Sequence, residues 1–219
     1  MDSGNRMFSS RFRWSEIGRI NAFWRGLILL AAFMGAGIAP WHGAQADTYK
    51  LLHSFCAKSD CADGQSPVAG LIRDGSGNLY GTTYGGGIGR AGTVFELMLN
   101  ATTGKFTEKV LHAFCAKTNT NCSDGTVPSA GLIRDGSGNL YGTTLGGGPY
   151  GGGTVFELVL NATTGKYTET VLHSFCVKTN CADGEYPEAG LFRDGSGNLY
   201  GTTAGGGAHG WGTVFELVK

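Results

Sequence analysis

One long word, AGLIRDGSGNLYGTT, dominates this sequence and most constrains how the chain can fold. It occurs three times, with one substitution in the third copy, at 69–83, 130–144 and 189–203. Each copy is followed by three glycines, a variable stretch and the word GTVFEL, at 92–97, 153–158 and 212–217. The copies recur about every 60 residues, a period typical of propellers, solenoids and related arrays. The sequence therefore predicts three similar units rather than one irregular domain.

Each unit carries four short strand signals. GLIR is closed by the turn-forming run DGSGN, NLYGTT and TVFEL follow, and the fourth strand ends at a cysteine, as at 170–175. Glycine, at 39 of 219 residues, disfavours helices and suits tight turns between strands. These signals predict an all-β fold of three four-stranded antiparallel repeat units, propeller-like in arrangement. A β-trefoil-like fold is the alternative.

The order of the words also bears on closure. The three-repeat domain is expected at 47–219, with units at approximately 47–108, 109–169 and 170–219. It begins with a fourth-strand word and ends with a third-strand word, so the N-terminal strand is predicted to complete the last sheet and leave no edge bare. Three sheets are fewer than the 4–8 blades of most propellers, which leaves open a small ring, a homodimer of six blades or a longer array.

The first 46 residues differ in kind from the rest. A basic segment precedes an apolar run at 26–38, and an A-x-A site follows at 44–46. This order predicts a cleaved signal peptide at 1–46, with no membrane span after cleavage. The apolar run is shorter than the ~20 residues that a spanning helix needs. We therefore expect a secreted, periplasmic or cell-surface protein.

All six cysteines lie after the signal and form three close pairs in sequence. In an oxidising compartment an even number of cysteines indicates disulfides, and fifteen pairings are formally open. The local pairing is favoured because each pair recurs at the same place in its unit. It joins Cys56–Cys61, Cys115–Cys122 and Cys176–Cys181.

The combination of GLxxDxxGNLYGTT, GGG and GTVFEL resembles the GloVer-type tandem repeat of exported bacterial "choice-of-anchor" proteins. The similarity covers essentially all of 51–219. The resemblance implies a secreted or surface repeat protein with a propeller-like fold. It brings no catalytic residues with it.

Three histidines offer a weak metal hypothesis, since they occupy one equivalent position per unit: His53, His112 and His173. Three imidazoles could hold zinc only if their strands were innermost in a ring. A cysteine loop follows each strand, which favours an outer position. No metal and no cofactor is therefore predicted.

The segments that differ between units point to binding. No Ser-His-Asp order or paired-carboxylate signature stands out, and a net charge of zero with a pI near 6.9 argues against nucleic acid as a partner. Binding specificity in repeat proteins resides in variable loops. The candidate binding residues in these loops are Tyr84, Arg90, Tyr150, His209 and Trp211. The expected function is a non-enzymatic scaffold that binds an extracellular glycan or protein. The alternative is a propeller-type hydrolase or lyase with a site near the ring axis, for which Glu185 and His209 are the candidates.

Overall fold

Three antiparallel sheets follow one another along the chain in the computed structural model, which describes residues 48–116 and 122–219. The first sheet contains β1 (Ile72–Arg73), β2 (Leu79–Thr83), β3 (Thr93–Asn100) and β4 (Lys105–Ala113). The second contains β5 (Ile133–Arg134), β6 (Leu140–Thr144), β7 (Thr154–Asn161) and β8 (Lys166–Ser174). The third contains β9 (Phe192–Arg193), β10 (Leu199–Thr203) and β11 (Thr213–Leu217). The only helices in these residues are single 3-10 turns at Ser59–Cys61 and Thr179–Cys181. The all-β antiparallel prediction is confirmed, and the predicted signal peptide at 1–46 lies outside the described residues.

The DGSGN run forms the turn between the first two strands of each sheet. In the second sheet the Asp135 carboxylate accepts hydrogen bonds from the N–H groups of Ser137 and Asn139, the Asn139 amide and the Tyr141 hydroxyl. Gly138 has φ +91°, a conformation that side chains rarely adopt. Burial alone would raise the pKa of Asp135, but these hydrogen bonds outweigh it and hold the pKa below its ordinary value.

This turn predicts part of the acid sensitivity of the fold. Because the folded-state pKa of Asp135 is depressed, its stabilising contribution is present above the unfolded pKa of about 3.9 and is lost as pH falls through the folded value. We expect Asp135→Asn to lower the melting temperature at pH 7 and to make its decline below about pH 4 shallower. Ser137→Ala is the matched control, since only its backbone N–H is used. Melting curves from pH 7 to 2 test this, and equal acid slopes in all three proteins would contradict it.

The hydrophobic core lies between consecutive sheets. One buried cluster joins Tyr80, Val94 and Phe114 of the first repeat region to Leu140 and Phe156 of the second sheet. The second cluster repeats the arrangement one unit later, with Tyr141, Val155, Phe175, Leu191 and Leu199. Each sheet is therefore stabilised mainly by burial against the next one along the chain.

In the strand TVFEL, Val and Leu alternate with Phe and Glu, yet packing between sheets buries all four in the first two units. Val94, Phe95 and Leu97 of β3 are buried together with Glu96, so both faces of the strand are covered. In β11 the same word alternates between exposed and half-buried positions. Of the three TVFEL strands, only β11 therefore shows the alternating burial of a strand with one open face.

A β-bulge recurs where the third and fourth strands pair. The register shifts after Val94 in the first sheet and after Val155 in the second. One extra residue on the fourth strand is accommodated there, which bends the strand before the cysteine loop.

The N-terminal strand does not complete the third sheet within this chain, contrary to the sequence expectation. The third sheet has three strands, and residues 48–55 form none. Instead this segment contacts the first sheet, where Phe55 packs edge-on against Phe95 at 4.8 Å and Lys50 Nζ donates to the Gly104 carbonyl at 3.0 Å. Phe55 is thereby packed against the core of the first sheet, whereas Tyr49 and Leu51 remain exposed.

Candidate functional site

Three disulfides stand where the sequence predicted them, joining Cys56 to Cys61, Cys115 to Cys122 and Cys176 to Cys181. All six cysteines have positive φ, between 47° and 65°. Non-glycine residues seldom adopt this conformation unless the surroundings hold them there. The disulfides and the surrounding hydrogen bonds hold the six cysteines in this conformation.

An aspartate two residues after each disulfide loop binds backbone N–H groups of that loop. The carboxylate of Asp63, which is fully buried, accepts hydrogen bonds from the N–H groups of Ala57 and Lys58 at 2.9 and 3.2 Å. Asp183 binds the N–H groups of Val177 and Lys178 in the same way. Burial raises the pKa of both carboxyls, but the backbone hydrogen bonds outweigh it and their pKa values lie below the ordinary range.

The three equivalent histidines lie beside these aspartates. Their Nε2 atoms are 3.2–3.8 Å from carboxylate oxygens, in the pairs His53–Asp63, His112–Asp124 and His173–Asp183. Burial lowers the pKa of His173 more than the Asp183 charge raises it. Each histidine thus lies beside the aspartate that binds its own disulfide loop, and the structure does not bring the three imidazoles together.

The glycine-rich loop of each unit is fastened to the disulfide loop of that unit. The Cys61 carbonyl accepts hydrogen bonds from the N–H groups of both Gly64 and Gly87, and Gly92 N–H closes the loop onto the Gly86 carbonyl at 3.0 Å. The corresponding bonds recur in the other two units, to the carbonyls of Cys122 and Cys181. One backbone frame therefore carries all three variable stretches.

The same loop also touches the disulfide loop of the following unit. Gly89 lies directly against the backbone of Phe114 and Cys115, and Gly152 lies against Phe175 and Cys176. Disulfide loops and glycine-rich loops therefore alternate in one row, which we call the loop rim (56–64, 84–92, 115–116, 122–125, 145–153, 176–184 and 204–212).

All five candidate binding residues lie on the loop rim, with exposed side chains. Arg90 makes an exposed ion pair of 3.0 Å with Asp60 of the adjacent disulfide loop. Tyr84 and Tyr150 project from the first and second glycine-rich loops, and His209 and Trp211 from the third. Trp211 is 90% exposed, whereas Gly152, at the same place one unit earlier, is buried under the next unit.

Sequence reasoning missed one feature of the loop rim and one just outside it. One is Asp60, whose pairing with Arg90 across two loops has no local signal. The other is the position held by Ser66, Val127 and Tyr186, which has φ of 55–59° in every unit. The varied residue types at that position concealed a shared backbone conformation.

Metal ligation finds little support in the described part of the chain. Its only group of three His, Cys, Asp or Glu side chains within reach of one ion is Cys176, Cys181 and Glu185. Both cysteines are in a disulfide, and a disulfide sulfur lacks the thiolate that binds metals. Within 48–116 and 122–219 we also find no helix long and apolar enough to cross a membrane.

The model of the Gloeobacter/Verrucomicrobia repeat matches residues 42–219, which confirms the resemblance carried by the repeated words. No curated protein matches. With most of its length matched and three disulfide-stabilised β units in its structure, this chain belongs to the Gloeobacter/Verrucomicrobia repeat family.

Proposed function

We propose that this protein is an exported, non-enzymatic scaffold that binds an extracellular glycan through the loop rim. The observation that carries the proposal is the contrast between a constant backbone frame and the variable side chains exposed at its tips, the outer ends of the loops. Hydrogen bonds from Gly87, Gly148 and Gly207 to cysteine carbonyls repeat at 2.9 Å in all three units, while the exposed side chains differ. A constant frame with variable tips is how repeat proteins build binding surfaces.

The chemistry of the tips favours a carbohydrate. Tyr84 and Tyr150 expose aromatic rings, and Arg90 and Asp60 add a charged pair between two loops. An aromatic ring with a polar end suits a surface that is apolar on one side and wet on the other, as a sugar ring is. Because the frame is crosslinked, little loop entropy would be lost on binding.

Export of the protein rests on two features. The segment 1–46 has the order of a signal peptide, and three disulfides form stably only in an oxidising compartment. The first two sheets have the four antiparallel strands of a propeller blade, and the backbone hydrogen bonds between the first two units recur between the second and third. We therefore propose a propeller-like curvature for the array.

A binding screen tests the proposed ligand class. Glycans and cell-surface polysaccharides would be screened with the exported protein, and Tyr150→Ala is expected to weaken the best binder by tenfold or more. Val159→Ala, an exposed position on β7 away from the rim, should leave binding unchanged. Unaltered affinity in the combined Tyr84→Ala and Tyr150→Ala variant would refute the rim as the site, and capture of proteins but no glycan would refute the ligand class.

A further inference from the structure

The two internal interfaces between units share two hydrogen bonds, and the second adds contacts from Lys219 Nζ to the Tyr141 hydroxyl and to Glu157. Across the first, the Thr82 hydroxyl donates to the Ala130 carbonyl at 3.1 Å and Val127 N–H donates to the Ala91 carbonyl at 2.7 Å. Across the second, Thr143 donates to Ala189 at 3.3 Å and Tyr186 N–H donates to Gly152 at 2.9 Å. A single interface geometry is therefore repeated along the array.

Charge complementarity is part of that interface. The Tyr80 hydroxyl binds Glu96 and Asp74, and the guanidinium of Arg134, from the next unit, lies 5.9 Å from the centre of the Tyr80 ring. One unit later, Arg193 stands 5.9 Å from the Tyr141 ring, whose hydroxyl binds Glu157 and Asp135. Each cation thus lies over the ring of a tyrosine whose hydroxyl is bound to two acids of the preceding unit.

The third unit presents the same surface with nothing on it among the described residues. Val214 is 82% exposed, whereas Val94 and Val155 at the same position are fully buried. Thr202 is exposed and its hydroxyl lacks the partner that Thr82 and Thr143 have, and the Trp211 carbonyl lacks the N–H that the Ala91 and Gly152 carbonyls receive. Tyr200, Glu216 and Asp194 form the usual hydrogen-bonded group with no arginine over the ring. We call this surface the tail face (Asp194, Tyr200, Thr202, Trp211, Val214 and Glu216).

The first unit presents the complementary surface, also uncovered. Leu71 is 50% exposed, against 3% for Leu132 and 7% for Leu191. Pro67 is exposed where Pro128 and Pro187 are buried. Ser66 has the same positive φ as Val127 and Tyr186, yet its N–H has no backbone partner in the described chain. Arg73 is equivalent to Arg134 and Arg193 but lies over no tyrosine ring in the described chain, and we call these residues the head face (Ser66, Pro67, Leu71 and Arg73).

The N-terminal segment already occupies the place of a fourth strand from a preceding sheet. Phe55 packs on Phe95 as Phe114 packs on Phe156. Lys50 Nζ donates to the Gly104 carbonyl as Lys109 Nζ donates to the Gly165 carbonyl. The segment 49–54 therefore lies where β4 lies relative to the second sheet, but among the described residues it has no third strand to pair with.

We infer that a second copy of this chain docks its head face and its segment 49–54 onto the tail face and the free edge of β11. The segment would complete the third sheet in the register of the first, with Lys50 opposite Glu216 as Lys109 stands opposite Glu96. Arg73 of that copy would lie over the Tyr200 ring. The contact joins two different faces, the head face of one copy and the tail face of the other. Two copies related by a twofold axis make this contact twice and so close a ring. Copies of three sheets give six blades as the only multiple within the 4–8 of known propellers, so the closed assembly is a dimer.

This inference rests on the propeller-like curvature proposed above, and its test is independent of ligand binding. Light scattering of the exported protein should give twice the mass of one chain. The mass of a single chain at every concentration overturns the docking, and a mass that rises without a plateau overturns the closed ring. Arg73→Glu is expected to weaken the dimer at least tenfold, whereas Lys166→Glu, an exposed lysine at the start of β8, should not. Equal dimerisation of both variants also overturns the inference.

Crosslinking tests the register directly. Lys50→Cys and Glu216→Cys would be prepared as separate proteins, both at exposed positions. Opposed residues of antiparallel strands have Cα atoms about 4.5–5.5 Å apart, within the range that a disulfide spans. A covalent dimer should form when the two proteins are mixed and far less when either is oxidised alone. Absence of the mixed product in a sample that light scattering shows to be dimeric overturns the proposed strand pairing.

Discussion

Phe156→Ala is expected to destabilise the protein by about 3–5 kcal/mol. The Phe156 side chain is fully buried and packs against Phe114, from the segment after β4, with 5.1 Å between the two ring centres. It also fills the space over Gly142, where an added Cβ would stand 2.7 Å from the ring. Truncation would therefore leave a cavity between two sheets that β-structure cannot easily close.

Denaturant unfolding of the wild type and two variants measures this effect. Phe156→Leu keeps most of the volume and is expected to cost about 1 kcal/mol. A large gap between the alanine and leucine variants supports the inter-sheet core. Similar, small losses in both would mean that the sheets do not pack on one another through this ring.

Local features of the fold could be predicted from the sequence because they depend on neighbouring residues. The DGSGN run determines its own turn, since Asp74, Asn78 and Tyr80 satisfy one another within a few positions. The strand words and one cysteine pair recur in each of the three copies, so an assignment made for one copy applies to all three. These predictions are confirmed by the sheets and by the cysteine pairs.

Features that depend on the next unit could not be predicted in this way. The words of β3 and β7 do not reveal that both faces of these strands are buried, because one face is covered by the preceding segment and the other by the following sheet. The predicted pairing of 48–55 with β11 in one chain was wrong for a similar reason, because a strand-like sequence does not say which part of the fold it will contact. The candidate rim residues were found through variation between units, whereas Asp60 was missed because its partner Arg90 is distant in sequence.

The interfaces and the rim are linked through the positions that vary. Ser66, Val127 and Tyr186 differ in side chain but use the same backbone conformation, and the last two donate an N–H to the preceding unit. The side chains are therefore free to change while the stacking contact is conserved. This separation of backbone contact from side-chain identity explains how units that differ at these positions can stack in the same way.

Gly147→Ala is expected to lower the free energy of unfolding by roughly 2–5 kcal/mol, because two effects add at this position. Gly147 has φ +72°, and an added Cβ would lie 2.7 Å from the Gly125 backbone and 2.8 Å from the Cys122 carbonyl oxygen. Neither neighbour can move, since the Cys122 carbonyl also holds Gly125 and Gly148 by hydrogen bonds. The substitution therefore separates the glycine-rich loop from the disulfide loop.

Gly151→Ala in the same loop is the matched control. Its φ is +79°, but nothing lies within 4 Å of the added Cβ, so only the backbone term of about 1–2 kcal/mol applies. Thermal and denaturant unfolding of the two variants separates steric contact from backbone preference. If Gly151→Ala is as damaging as Gly147→Ala, the close approach of the two loops is not what holds the rim together.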